Sequence, residues 1–322
     1  MRKILEDASK ERQLVIYAAL PGVLGSLISA FRGKYKEQNF HVTYLSGHPV
    51  PIAEKIRAEI KTGIPSADVI ILPQYSLMQL ENDGLLQKYD SPELSTYPSN
   101  YYEHGGAALT LEPTGLMYST VLVRENELPK TLDDLTDKRW KGMIAMQSLT
   151  RRVEGLLGIF FLASLRRTGN EKQWTTFLKK LASDIRPKTY DCLHHMKDAT
   201  KNGKHAISFP GALRAESLKE VGGIEPFFLH DVPPTAILRS IGILKNSTHS
   251  NVAKLFVDFA LSKDWQSKLG ETKEGMVPAR LGIQSSYWIS SPLSKGVTIF
   301  PNMEEVQQVE EFVAAYRQAG LD

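Results

Sequence analysis

The sequence predicts an α/β protein of two domains, each built on a doubly wound mixed sheet. Three observations predict it. Leu14–Phe31 reads as strand, tight loop and helix. The same alternation continues through Gly84, giving β-α-β-α-β-α. It then breaks at residues 105–118, where two strand-like stretches follow each other without a helix. A chain of 322 residues is long enough for two cores.

Residues 3–12 form a short polar helix. Leu14-Val15-Ile16-Tyr17 is a β-branched and aromatic run, hence a strand. The uncharged stretch that continues to Phe31 has the length of a membrane span, but Leu20-Pro21-Gly22 interrupts it. Beyond the break Val23, Leu24, Leu27, Ile28 and Phe31 make one apolar helix face. Phe40–Leu45 alternates as a second strand. Pro51–Lys61 carries Ile52, Ile56 and Ile60 four apart, a helix with proline at its start. Asp68–Leu72 is a continuous apolar strand of the buried parallel kind, and Ser76–Asn82 is a helix.

Gly105–Leu111 and Thr114–Tyr118 are strands, and Thr131–Leu135 starts a short helix. Met143–Met146 is a strand; Arg152–Arg167, Glu171–Ser183 and His194–Asn202 are helices; His205–Phe209 is a strand. Ala236–Leu244 is a strand returning to the first domain. Asn251–Ser262, Asp264–Leu269 and Met303–Ala319 are helices.

A net charge of +3 and no basic block interleaved with aromatics argue against a nucleic-acid partner. A single cysteine, Cys192, excludes an internal disulfide. Neither a G-x-S-x-G elbow, a P-loop, a zinc spacing nor a dinucleotide fingerprint is present, so an enzyme is not expected and no cofactor is implied. The charged start Met1–Asp7 has no apolar core of a signal peptide.

The order of segments resembles the substrate-binding proteins of bacterial ABC importers, in the ferric-ion-binding branch of the family-1 extracellular solute-binding proteins. The residues that carry it are Leu14–Tyr17, Gly63 with Ala67-Asp68-Val69, and Gly84-Leu85-Leu86 before Tyr89. Pro129–Leu135 with Trp140-Lys141-Gly142, Asn202-Gly203, and Ala253–Phe259 with Ser262-Lys263 complete the set. The resemblance implies a periplasmic-binding-protein-like fold of type II: two lobes joined by hinge strands that close on a ligand in the cleft. Lobe 1 is expected at 1–110 and 240–284, lobe 2 at 111–239 and 285–322. It also implies a monomer that hands a small-molecule solute to ABC transporter membrane subunits, in the periplasm or tethered at the cell surface.

In ferric binders of this family two adjacent tyrosines hold the metal, often with a histidine in the first loop. Here Ala18-Ala19-Leu20-Pro21 fills that loop, and Ser208-Phe209-Pro210-Gly211 follows the strand where the tyrosine pair would stand. Phenylalanine and proline cannot ligate a metal, so no metal site is expected. The family resemblance assigns an anion to the turn Gln147–Arg152. A helix N-terminus there offers unpaired donors, Ser148 or Thr150 can cap it, and Arg151 and Arg152 oppose the helix dipole unless something anionic compensates. The alternative for both arginines is solvent or Glu154.

Arg239 is a charge inside an apolar strand and needs a partner: a structural salt bridge to Glu112 is the first candidate, and contact of Arg239 and Glu112 with the ligand is the alternative. Tyr17, Tyr75, Tyr118, Tyr190 and Phe209 are candidate walls, Leu20 and Pro21 candidate apolar contacts, and Asp191 a receiver for an amino group. His194-His195 do not share a helix face and find no third ligand by spacing. The expected solute is a small anion or zwitterion: a phosphonate, a carboxylate or a phosphate ester. Ferric binding through atypical ligands, an enzyme and a ligand sensor on the same fold remain the rivals.

Overall fold

The computed structural model describes residues 2–20, 22–64, 67–104, 106–148, 171–190, 193–212, 222–232, 235–272, 276–283, 285, 298–300 and 309–321. In chain order its helices are α1 (Arg2–Glu11), α2 (Leu24–Lys34), α3 (Pro49–Thr62), α4 (Gln74–Asn82), α5 (Glu171–Lys180), α6 (Leu193–Lys201), α7 (Ser250–Leu261), α8 (Lys263–Glu271) and α9 (Val309–Gln318). Its strands are β1 (Gln13–Ala18), β2 (His41–Ser46), β3 (Val69–Pro73), β4 (Leu86–Gln87), β5 (Ala107–Ser119), β6 (Ile144–Gln147), β7 (Lys188–Tyr190), β8 (Ile207–Ala212), β9 (Ile224–Phe227), β10 (Thr235–Leu244), β11 (Val277–Pro278) and β12 (Thr298–Phe300). The helix expected at Arg152–Arg167 lies outside the described residues, as do Cys192 and the first turns of the helix expected from Met303.

The chain divides into two compact units, Met1–Leu111 with Leu238–Ser286, and Glu112–Ile237 with Tyr287–Asp322. Strands β5 and β10 each contribute residues to both.

In the first unit β2, β1 and β3 are parallel neighbours, β10 runs antiparallel beside β3, and β5 follows β10. Helices cover both faces. On one, Ile52 and Ile56 of α3 and Leu77 and Leu80 of α4 pack on Ile70 and Leu72. On the other, Phe31 of α2 meets Phe256 of α7 edge-on at 5.0 Å and stacks on Phe40 at 5.4 Å. These are the offset and edge geometries that aromatic quadrupoles favour. The apolar positions behind this packing are those spaced for helices and strands in the sequence.

In the second unit the later half of β5 pairs antiparallel with β8 and β9, and β6 lies between β8 and β7, parallel to both. Residues 107–119, expected as two strands, form the single strand β5, which passes through Pro113. Proline lacks a ladder donor, and here it falls between two sets of partners: β11 pairs with Thr110 and Leu111, and β8 takes over at Thr114. The helix expected to run to Ser183 is α-helical only to Lys180 and then widens into a π turn at Leu181–Ile185, which ends on Arg186 in the left-handed region. Among the described residues no helix is long and apolar enough to cross a membrane.

Candidate functional site

Because β2, β1 and β3 are parallel, all three end at one edge of the first unit's sheet, and each is followed there by a helix. Carboxyl edges of this kind are where open α/β sheets bind ligands. The first turns of α2, α3 and α4 contain no acidic residue. Their positive dipole ends are therefore not answered by carboxylates of their own. The amino edge of the same sheet differs: there the Glu11 carboxylate accepts the N–H groups of Asn251 and Val252 in the first turn of α7, each at 2.9 Å.

The loops at the carboxyl edge are tied to the strand ends. Ala19 donates its N–H to Ile71 (2.8 Å) and Gly47 donates to the carbonyl of Ala18 (3.1 Å). Arg239 faces Pro73, the last residue of β3, across the β10 ladder and is only 6 % exposed. Its Nη1 donates to the carbonyl of Ala19. A permanent cation thus reaches the end of β1 from two strands away.

The other expected site residues of the first unit are placed as follows. Leu20 is buried, and Pro21 lies outside the described residues. Side chains of a strand stand perpendicular to the sheet, and Tyr17 lies over α3, where its hydroxyl donates to Glu59 (3.2 Å) beneath the Lys55 ammonium. Burial and the Glu59 carboxylate raise the pKa of its phenol, which stays a neutral donor. Tyr75 stands in the first turn of α4 and its hydroxyl accepts from Gln79 (2.8 Å).

In the second unit, Ser148 follows β6 and donates its N–H to the carbonyl of Tyr190 (2.7 Å). The Tyr190 hydroxyl is 2.8 Å from Nε2 of His205, whose ring it meets edge-on. Burial holds the His205 imidazole below its usual pKa. Tyr118 is buried, donates to Glu225 (3.1 Å) and meets Phe227 edge-on; burial, then Glu225, pushes its phenol up to about 12. Glu112 is buried. Thr150, Arg151, Arg152 and Asp191 lie outside the described residues, and of Phe209 only the backbone, in β8 opposite Met146, is described.

Two residues at the carboxyl edge escape the sequence analysis. Gln74 is 3 % exposed at the start of α4 and donates to the carbonyl of His104 (3.2 Å). His48 stands between β2 and α3, next to Gly47. The only signal for either is position, immediately after a strand. Among the described residues no group of three or more His, Cys, Asp or Glu side chains could hold a metal ion.

The family model of bacterial extracellular solute-binding proteins matches residues 65–286. The chain belongs to that family. A relative of this solute-binding protein in Haemophilus influenzae, described as an uncharacterized protein, is 26 % identical over 275 residues, covering 81 % of this chain and 76 % of its own. Among solved structures, iron-bound HitA from Pseudomonas aeruginosa has 20 % identity and a TM-score of 0.74 over 96 % of this chain and 99 % of its own. AfuA from Actinobacillus pleuropneumoniae, with exogenous fructose-6-phosphate bound, has 21 % identity and a TM-score of 0.73 over 95 % and 98 %. Trichodesmium IdiA (FutA), in complex with iron and citrate, has 18 % identity and a TM-score of 0.74 over 96 % and 100 %. These likenesses establish the two-lobe α/β fold of periplasmic binding proteins.

Proposed function

We propose that this solute-binding protein captures a small anionic or zwitterionic organic solute, bearing a phosphonate, carboxylate or phosphate-ester group, outside the cytoplasm. It then presents the solute to the membrane subunits of an ABC importer. The observation that carries the solute class is the Arg239 guanidinium at the end of β1, on an edge where three helices begin without an acidic residue. Guanidinium and helix N-termini both favour anions. Arg151 and Arg152 carry the same charge in the sequence. Citrate and fructose-6-phosphate, named with two of the structural neighbours, belong to the proposed class. Family membership supports binding rather than turnover.

The test is a thermal-shift screen with inorganic phosphate, citrate, fructose 6-phosphate, 2-aminoethylphosphonate and ferric chloride, followed by calorimetry. A ligand at one hundred times its Kd stabilises by about 2.7 kcal/mol, a shift of several degrees for a chain of this size. At least one organic anion should give it, and Arg239→Gln, Arg151→Ala or Arg152→Ala should weaken that anion tenfold or more. Tight binding of ferric iron without any organic anion would overturn the reading.

A further inference from the structure

We propose that the amino edge of the second unit's sheet is a docking face for an anionic lipid bilayer, held by lysine and arginine on headgroup phosphates and by Val121 and Leu122 at the headgroup boundary.

The strands bring the cations together. β6, β7 and β8 run parallel, so their first residues lie at one edge, and β5, antiparallel to β8, ends there at Ser119. Lys141 stands just before β6, Arg186 and Lys188 at the start of β7, and Lys204 just before β8. Backbone bonds fasten these segments side by side. Gly142 donates to the carbonyl of Ile185, Ala206 to that of Met143, and Ser119 to that of Ala206, each at 2.8 Å. Lys138 joins them from the turn Lys138–Trp140, which packs against Leu181–Ile185.

All five cations are exposed. Among the described residues none of them forms an ion pair; the pair in this region joins Lys180 to Asp133 (3.7 Å). The other carboxylates of these segments are turned to donors of their own loops. Asp134 accepts the N–H groups of Lys130 and Thr131, and Asp137 that of Arg139, each at 2.9 Å. Asp184 accepts the hydroxyl of Ser183 (2.7 Å). Burial foremost, and then the charges of Lys188 and Lys204, hold the His205 imidazole below its usual pKa, so both lysines act on one buried ring.

An apolar tip borders these charges. Val121 and Leu122, in the turn after β5, are 70 % and 42 % exposed. They abut the loop that carries Lys204: a Cβ on Gly203 would lie 3.7 Å from Leu122 and 3.9 Å from Val121. Cations draw such a face to anionic headgroups, and aliphatic side chains add apolar area that the bilayer buries. The composition favours a bilayer over an acidic protein. Protein interfaces are enriched in arginine and aromatic residues and depleted of lysine. Here four of the five cations are lysines, and Trp140 beside Lys141 is buried. A flexible ammonium suits a fluid array of phosphates that demands no fixed geometry. Ser148 and Tyr190 lie at the opposite ends of β6 and β7, so docking uses no residue of the candidate site.

The experiment measures cosedimentation of the full chain with vesicles of phosphatidylcholine alone and of equal parts phosphatidylglycerol and phosphatidylcholine, at low and high salt. Wild type should bind the anionic vesicles, bind phosphatidylcholine at least tenfold more weakly, and be released by salt. Each cation near a charged surface contributes about fivefold, so Lys141→Gln/Lys188→Gln/Lys204→Gln should weaken binding tenfold or more. Val121→Ser/Leu122→Ser should weaken it at least threefold. The charge-matched control Lys36→Gln/Lys61→Gln/Lys245→Gln, on exposed lysines of the first unit, should stay within twofold. Hydrogen exchange of the wild type gives a reading that no variant's folding can disturb: anionic vesicles should protect residues 119–123, 138–142, 186–188 and 203–206. No binding to anionic vesicles, equal losses in the two triple variants, or protection confined to another surface would overturn the proposal. Retention on immobilised polyglutamate with indifference to vesicles would overturn it too, making the partner an acidic protein.

Discussion

Asp68 and His249 meet at the amino edge of the first unit, with Oδ2 of Asp68 3.1 Å from Nδ1 of His249. The buried carboxylate also accepts the N–H of Val15 (2.8 Å), the hydroxyl of Ser247 (2.7 Å) and the N–H of His249 (3.2 Å). One side chain therefore joins β1, the end of β10 and the approach to α7. Removing it takes the acceptor from the half-buried Val15 N–H and Ser247 hydroxyl and breaks the contact with His249, and hydrogen bonds to a charged group contribute about 1.5 to 3 kcal/mol each. Asp68→Ala should destabilise by about 3 kcal/mol or more in urea unfolding. Since Asp68 lies at the edge opposite Arg239, affinity for an anion should not change. Lost affinity with intact stability would contradict this assignment.

The Tyr190–His205 pair makes the second unit sensitive to acid. Burial lowers the His205 pKa in the folded chain, whereas in the unfolded chain the imidazole takes up a proton at about pH 6.5. The unfolded state thus binds more protons, and stability falls as pH falls. The contribution is present above about pH 6.5 and is lost as pH drops through the depressed folded value. Unfolding midpoints measured from pH 7.5 to 5 should decline less steeply in His205→Gln; an identical slope would exclude His205 as the source.

Much of the first unit was legible because its signals are local. Ile52 and Ile56 report the buried face of α3, and the apolar run after Asp68 is a strand covered on both sides. Strands of two or three residues, such as β4, β7, β11 and β12, are too short to show periodicity and exist only through their neighbours. Arg239 was visible as a charge in an apolar strand. Its acceptor Ala19, 220 positions away, was not. Closeness to a strand's end says nothing of which face a side chain takes, so the contact of the Tyr17 hydroxyl with Glu59 is not legible in the sequence.

The placement of Tyr17 has a direct test. Its hydroxyl is engaged by Glu59 on α3 rather than directed along the strand to the carboxyl edge. Tyr17→Phe should therefore cost about 0.5 to 1.5 kcal/mol of stability, the value of one hydrogen bond, and leave anion affinity within twofold of wild type. A tenfold loss of affinity would return Tyr17 to the site.

Gly106 links the backbone of the first unit to its cation. Its φ is +85°, a left-handed conformation that side chains disfavour, and a Cβ there would collide with the carbonyl oxygen of Ile241. Ile241 lies on β10 two residues beyond Arg239, with backbone on the obstructing side, so rotation of a side chain cannot relieve the clash. Gly106→Ala must shift one of the two segments. Stability should fall by more than about 1 kcal/mol. A displaced β10 would also pull Arg239 from the Ala19 carbonyl, so affinity for the best anion should fall together with stability. Asp68→Ala provides the comparison, since it should lose stability alone. If Gly106→Ala lost stability with full affinity, the shift would be confined to the loop before β5, and the position of Arg239 would owe nothing to Gly106.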